Sequence, residues 1–213
     1  LETIKKSLPE HVTLVAVSKT KPIADLKEAY NAGQRIFGEN KIQEMTQKWE
    51  VLPKDIEWHM IGHVQRNKVK YMAPYVALIH GVDSFRLLKE IDKQGKKNDR
   101  VINCLLQMHI AEEDTKFGLD SGELTEILHS EELSQLKNIR IMGLMGMATY
   151  TDKEAQLRRE FEQLKTQFDL LQQEIPEATT LSMGMSGDYK IAIEEGSTMV
   201  RIGSSIFGVR NYN

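Results

Sequence analysis

Cysteine is nearly absent: Cys104 is the single thiol in 213 residues. One thiol closes no internal disulfide, which suits a reducing compartment and sets the expectation of a cytoplasmic protein. Long apolar runs are missing too. None approaches the roughly 18 residues of a membrane span, and no secretory leader is visible. Charge of one sign is not in excess, because 28 Lys and Arg face 31 Asp and Glu for a formal net charge of −3. Nothing electrostatic therefore favours nucleic acid or an anionic membrane as partner. Proline is sparse, 5 in all, and no Pro-rich or low-complexity stretch marks a boundary, so one domain over 1–213 is expected. Three signature motifs are also lacking. No Gly-x-Gly-x-x-Gly turn follows the first strand, which counts against an open doubly wound sheet, and there is neither a P-loop nor a Gly-x-Ser-x-Gly elbow.

What the sequence does have is alternation. Short β-branched runs take turns with longer helical patterns, the signature of a parallel α/β fold. Strands are predicted at Thr13–Ser18, Arg35–Phe37, Glu57–Ile61, Val76–His80, Val101–His109, Arg140–Met145, Thr180–Met183 and Thr198–Ile202. Helices are predicted at Pro22–Ala32, Lys41–Leu52, Val64–Met72, Ser84–Lys97, Asp120–Glu132, Asp152–Glu174 and Tyr189–Glu195. The longest carries Phe161, Leu164, Phe168 and Leu171 as an apolar stripe. Eight βα units on this length make a (β/α)₈ TIM barrel with little room for insertions. Cys104, in the apolar run VINCLLQM, reads as a buried strand residue.

Two Gly/Ser turns close the chain, Ser186-Gly187 after the seventh strand and Gly203-Ser204-Ser205 after the eighth. Side by side, such turns aim backbone N–H groups and hydroxyls at one point, which suits a phosphate. In (β/α)₈ barrels the loops after strands seven and eight often form the phosphate site. At the other end of the sequence, alternation puts Val15, Val17 and Lys19 on one face of the first strand. If that face lines the barrel, Lys19 reaches the rim, where desolvation lowers an amine's pKa and frees it for Schiff-base chemistry. Lys21 is the local competitor, but Pro22 beside it places it in the loop. In the eighth strand, Val200 and Ile202 suit the helix-facing side, which directs Arg201 inward. A buried arginine needs an acceptor, either a carboxylate or the ring nitrogen or anion of a ligand.

Other candidates are weaker. Asn40 caps the next helix or reaches the barrel mouth. His59 and His63 straddle Ile61-Gly62 at a strand end and do not share a helix face, so no metal site is expected. Gln107 and His109 alternate with Met108 on the fifth strand. Glu112, Glu113 and Lys116 follow in a solvated loop, from which Lys116 can fold over the mouth. Met147, in GLMGMATY, is a core residue or a contact for a ligand ring.

The segments VAVSKTKP, RIFGENKIQE, EWHMIGHVQRNK, IRIMGLMGMA, LSMGMSGD and EEGSTMVRIGSSIFG together resemble the pyridoxal-phosphate homeostasis protein family. They occur in family order across nearly the whole chain. The resemblance implies a barrel related to the alanine racemase N-terminal domain, the type III fold of pyridoxal-phosphate proteins, with pyridoxal 5′-phosphate as cofactor. It implies Lys19 in aldimine linkage, Ser186, Gly187, Gly203 and Ser204 about the phosphate, and Arg201 facing the pyridine nitrogen. Asn40, His59 and Met147 would line the pocket beside the ring. The sequence departs from the family at His63, commonly Pro, at Gly187, often bulkier, and at Ser204, usually Thr. An arginine beside the pyridine nitrogen makes the ring a weaker electron sink. No β-rich domain of the racemase kind follows the eighth strand here, so the expectation is a monomeric carrier without strong catalysis. It would act in vitamin B6 and amino-acid homeostasis, with apo pyridoxal-phosphate enzymes as acceptors and other B6 vitamers as further ligands. The alternatives are a small type III amino-acid racemase or lyase, and a barrel acting on a phosphate ester.

Overall fold

The computed structural model describes residues 1–113 and 117–208. Eight parallel strands form a closed barrel in sequence order: β1 Thr13–Val17, β2 Ile36–Glu39, β3 Glu57–Met60, β4 Leu78–Val82, β5 Ile102–Met108, β6 Ile139–Gly146, β7 Thr180–Met185 and β8 Met199–Ile202. β8 returns to pair with β1, Val15 standing opposite Arg201 and Ala16 opposite Ile202. The helices are α1 Glu2–Ser7, α2 Ile23–Asn31, α3 Ile42–Val51, α4 Val69–Met72, α5 Phe85–Lys97, α6 Ser121–Leu128, α7 Glu154–Glu174, α8 Tyr189–Glu194 and α9 Ser204–Phe207. The expected (β/α)₈ architecture is what the chain adopts.

Local chemistry explains the better-defined ends. Ser84 caps α5 by accepting the Leu87 N–H, and Asp120 with Glu123 forms a reciprocal capping box on α6. Where boundaries differ from expectation, backbone bonding gives the reason. The Val76 N–H donates to the Met72 carbonyl at 2.8 Å, so Val76 still belongs to the turn leaving α4 and β4 starts two residues later than predicted. Ser130 takes an extended conformation and breaks the predicted Asp120–Glu132 helix; a 3-10 turn, Glu131–Gln135, follows.

Two apolar layers result, as they must when helices cover one face of every strand and the barrel axis the other. The outer layer holds Phe37, Trp58, Ile79, Leu106, Leu144 and Leu181 against the helices, including the α7 stripe of Leu157, Phe161, Leu164, Phe168 and Leu171. Cys104 belongs to it, and burial pushes its thiol pKa up. Each large side chain so buried contributes on the order of 2 kcal/mol. The inner layer is smaller: Val15, Ile61, Leu78, Leu105, Met145 and Met199.

Phase along β6 is reset by a bulge. Cys104 pairs with Ile141 but Leu105 with Gly143, which leaves Met142 without its own partner on β5. Leu144 therefore faces the helices and Met145 the barrel interior. Gly143 makes this possible: its φ is +151°, and a Cβ there would lie 1.7 Å from the Thr180 carbonyl oxygen. Gly143→Ala should cost upwards of about 2 kcal/mol in urea unfolding, on the scale of backbone strain plus a core clash. Gly187→Ala, where a Cβ would meet nothing within 4 Å, should stay within about 0.5 kcal/mol of wild type.

Candidate functional site

The C-terminal ends of the strands surround a cavity of about 810 Å³. Lys19 enters it by simple alternation: Val15 and Val17 belong to the interior, Ser18 turns outward and is buried there, and Lys19 turns inward again to line the cavity, half-buried. Lys21 also lines it, but its ammonium donates to the Phe207 and Gly208 carbonyls at 2.8 and 3.2 Å, past the end of α9. Lys21 thus acts as a strut for the last turn, and Lys19 is the amine presented by the strand itself. Asn40 lines the cavity and does not cap α3; Lys41 holds the cap position and gives no side-chain bond.

Beside the first strand end, on the strands that precede β1 around the barrel, stand the two closing turns. Ser186, Gly187, Gly203, Ser204 and Ser205 all line the cavity, and the turns touch: the Gly203 N–H donates to Ser186 Oγ at 3.2 Å. Asp188 lines it as well, with Oδ1 accepting the Met185 N–H at 2.5 Å. Met147, Gln107 and Arg201 complete the inner wall.

Arg201 is 3% exposed and sits in the barrel interior as expected. Among the described residues it pairs with no carboxylate. Nη1 donates to Ser182 Oγ at 2.6 Å and Nη2 to the Gly146 carbonyl at 3.1 Å. Behind Ser182 a hydrogen-bonded chain continues, with His80 Nδ1 at 3.0 Å from Ser182 Oγ and His59 Nδ1 at 3.0 Å from His80 Nε2. A guanidinium only donates. The distances admit two directions through the rings: the Ser182 hydroxyl donates to His80 Nδ1 and His80 Nε2–H to His59 Nδ1, or His59 Nδ1–H donates to His80 Nε2 and His80 Nδ1–H to the Ser182 oxygen. Burial holds both rings neutral, lowering His59 to about 3 and His80 well below its usual value; His59 and Arg201 push His80 down further. Burial likewise pulls Arg201 down to about 10, against the opposing charge of Asp188.

One expectation needs correction here. His59 does not line the cavity; it is 4% exposed, and its ring is spent on His80. It supports the wall through two intermediaries. His80 and Ser182 were not singled out by sequence, because their meaning appears only when β3, β4, β7 and β8 are brought to one interior. The available signal was alternation, with His80 two residues past Leu78 and Ser182 flanked by Leu181 and Met183.

At the rim, His63 stacks on Phe117 with ring centroids 4.3 Å apart, and its Nδ1 lies 3.4 Å from Asp83 Oδ2. Tyr150 is 95% exposed there, on a loop held by buried Glu160, which accepts the Thr149 N–H and hydroxyl at 2.6 and 2.7 Å. Glu113 is half-buried and accepts the Tyr150 N–H, whereas Glu112 is exposed and pairs with Arg159. His109 is turned to the Glu113 carbonyl, away from the cavity. Lys116 lies outside the described residues.

The sequence matches the family model of the alanine racemase N-terminal domain over residues 1–211. It is 42% identical over 201 residues to the pyridoxal phosphate homeostasis protein of Aquifex aeolicus, covering 93% of this chain and 87% of that protein. With the Escherichia coli protein of the same name it shares 39% over 212 residues, covering 96% and 88%. The chain belongs to this family. Among solved structures, PipY of Synechococcus elongatus with pyridoxal phosphate bound superposes with a TM-score of 0.88 at 38% identity, covering 97% of each chain. The same protein without the cofactor gives 0.91 at 39%. An alanine racemase from Bartonella henselae shares the fold alone, at 16% identity and a TM-score of 0.71, covering 98% of this chain and 59% of that one.

The buried histidines carry a pH signature. Their folded pKa values lie below 6.5, so between about pH 6.5 and the depressed value the unfolded chain binds more protons than the native one. Stability from these rings is full above pH 6.5 and falls on acidification, by roughly 1 kcal/mol per pH unit per ring. Urea unfolding between pH 7 and 5 should show this slope in wild type and a shallower one in His59→Gln. An identical slope in the variant would remove His59 as a source.

Proposed function

We propose that the chain binds pyridoxal 5′-phosphate in this cavity as a homeostasis protein, a reversible carrier with no strong catalysis of its own. One observation carries the reading: a buried guanidinium without a carboxylate partner among the described residues shares a cavity with a strand-end lysine and two touching Ser/Gly turns. That donor set fits the cofactor's three functional groups. Lys19 would take the aldehyde, Ser186, Gly187, Gly203 and Ser204 the phosphate, and Arg201 the pyridine nitrogen, with Asn40 and Met147 beside the ring. When bound, the cofactor supplies an electrophilic aldehyde and an electron-withdrawing ring.

The chain's own groups favour carriage over catalysis. Arg201 can only donate hydrogen bonds, and burial keeps the histidines behind it neutral and therefore poor acids, so neither protonates a ring nitrogen. An unprotonated ring withdraws electrons weakly. Lys21 braces the carbonyls at the end of α9, and Lys19 is the amine that strand alternation turns into the cavity for reversible capture. Delivery to apo-enzymes, uptake of other B6 vitamers, a monomeric state and a cytoplasmic setting complete the proposal.

Purified protein offered pyridoxal 5′-phosphate should develop an absorbance band near the visible edge, which borohydride should abolish as it reduces the C=N bond to a secondary amine and makes the attachment permanent. Lys19→Ala should lose the band and keep its far-UV circular dichroism; a persistent band would move the attachment to Lys21. Ser186→Ala and Ser204→Ala should each weaken uptake by about 1 kcal/mol, roughly fivefold. Unchanged affinity in the double variant would refute this phosphate site. The alternative, a small amino-acid racemase or lyase, is decided by α-proton exchange of L-amino acids in deuterated water. Exchange above that of free cofactor, and lost in Lys19→Ala, would establish it.

A further inference from the structure

On the outer side of the barrel, behind the strand end that carries Lys19, lies a second polar cluster that the cavity does not use. Lys48, on α3, is 5% exposed. Its Nζ donates to Glu39 Oε1 at 2.6 Å, to Glu44 Oε1 at 2.7 Å and to the Ser18 carbonyl at 2.8 Å. Ser18 Oγ donates to the same Glu39 oxygen at 2.6 Å. Glu44 Oε1 also accepts the Thr20 N–H at 2.6 Å.

Ser18 and Thr20 are the two neighbours of Lys19. The Ser18 carbonyl belongs to the peptide plane before the Lys19 Cα, and the Thr20 N–H to the plane after it. Peptide planes are rigid, so holding both sets φ and ψ of Lys19 and with them the direction of its side chain. The Ser18 carbonyl additionally accepts the Lys21 N–H at 3.0 Å. Thr20 itself sits at φ +64°, a conformation that β-branched residues rarely adopt and that needs external restraint.

Fold stability alone does not account for this cluster. Burial raises the Glu39 carboxyl pKa against the pull of Lys48, and Glu39 Oε2 is buried with no hydrogen-bond partner among the described residues. A well-packed apolar trio of similar volume would serve the core as well or better. Its bonds converge on the backbone either side of one lysine.

We propose that Lys48 and Glu44, anchored by Glu39, are positioning residues for Lys19, pinning both of its flanking peptide planes so that the amine is held ready for an aldehyde. The proposal rests on the cofactor-binding reading of the cavity and extends it to a cluster outside that cavity.

The test compares pyridoxal 5′-phosphate with 4′-deoxypyridoxine 5′-phosphate, which keeps the phosphate and ring but has no aldehyde for an amine to capture. Glu44→Ala removes the Thr20 acceptor while leaving the buried Lys48–Glu39 pair. It should weaken pyridoxal phosphate about tenfold and the aldehyde-free analogue less than twofold. Lys48→Met in a Glu39→Gln background, which leaves no uncompensated charge at the buried Glu39 position, should behave alike. Amide hydrogen exchange in the ligand-free protein gives a readout independent of cofactor. Protection at Thr20 should fall at least tenfold in Glu44→Ala, and at Lys21 in the Lys48 variant, with Val15 and Ala16 unchanged. Equal loss of both ligands would make the cluster merely structural, and no loss of either would leave it without a role; each result overturns the proposal. Unchanged protection overturns it too. A wild type that binds both compounds equally would sink the covalent role of Lys19 but not the clamp, which the exchange data then decide alone.

Discussion

Everything at the mouth of this barrel depends on the pairing of β8 with β1. With Val15 opposite Arg201 and Ala16 opposite Ile202, the residue after β8, Gly203, comes against Val17, and a Cβ on it would lie 3.1 Å from the Val17 carbonyl oxygen. The amine near the start of the sequence and the turns at its far end, separated by nearly the whole chain, thus become walls of one cavity. Shifting that register by one residue would turn Arg201 to the helices and Val200 into the interior. Closure and chemistry are the same constraint.

The electrostatics of the interior follow a gradient along the strands. On β4, β5 and β8 an apolar residue of the inner layer is followed two residues later by a polar one: Leu78 by His80, Leu105 by Gln107, Met199 by Arg201. Lower in the barrel the side chains only pack; nearer the C-terminal ends they bond to one another. The hydrogen bonds of Arg201 go to neutral acceptors, Ser182 Oγ and the Gly146 carbonyl, while the charge of Asp188 helps to keep it protonated without pairing with it. A carboxylate partner would have neutralised it and withdrawn it from any ligand. Neutral acceptors orient the guanidinium without cancelling its charge, which leaves a positive field directed at the cavity.

Much of this was legible in the sequence. Strand number, inward-facing Lys19 and Arg201, and the two Gly/Ser turns follow from periodicity and turn chemistry, because each is a local property of the chain. Three things were not legible. The bulge at Met142 resets alternation in β6, and only the β5 register reveals it. The polar chain His59–His80–Ser182–Arg201 joins four strands, so its members look like isolated residues until the barrel closes. His59 could therefore be placed beside the site but not in its proper layer. The Glu39–Lys48–Glu44 cluster was hidden for another reason: FGENKIQE reads as a turn and a charged helix start, and nothing local says that Lys48 turns inward.

The two polar clusters differ in what they do to the backbone. The inner chain bonds side chain to side chain and ends on one carbonyl, so it orients a charge and leaves the strands to their own ladder. The outer cluster bonds to main-chain groups where the ladder runs out: β1 stops at Val17, the Ser18 N–H makes one more bond to the Gly38 carbonyl at 3.0 Å, and the residues after it need restraint from elsewhere. A strand end is where a reactive side chain gains reach, and it is also where the sheet ceases to fix direction. An ion cluster at that point replaces the missing ladder bonds, supplying an acceptor to Thr20 and a donor to Ser18. Burying the Glu39 and Lys48 charges costs stability in general, and the chain places that cost where geometry, rather than packing, decides whether the lysine faces the cavity.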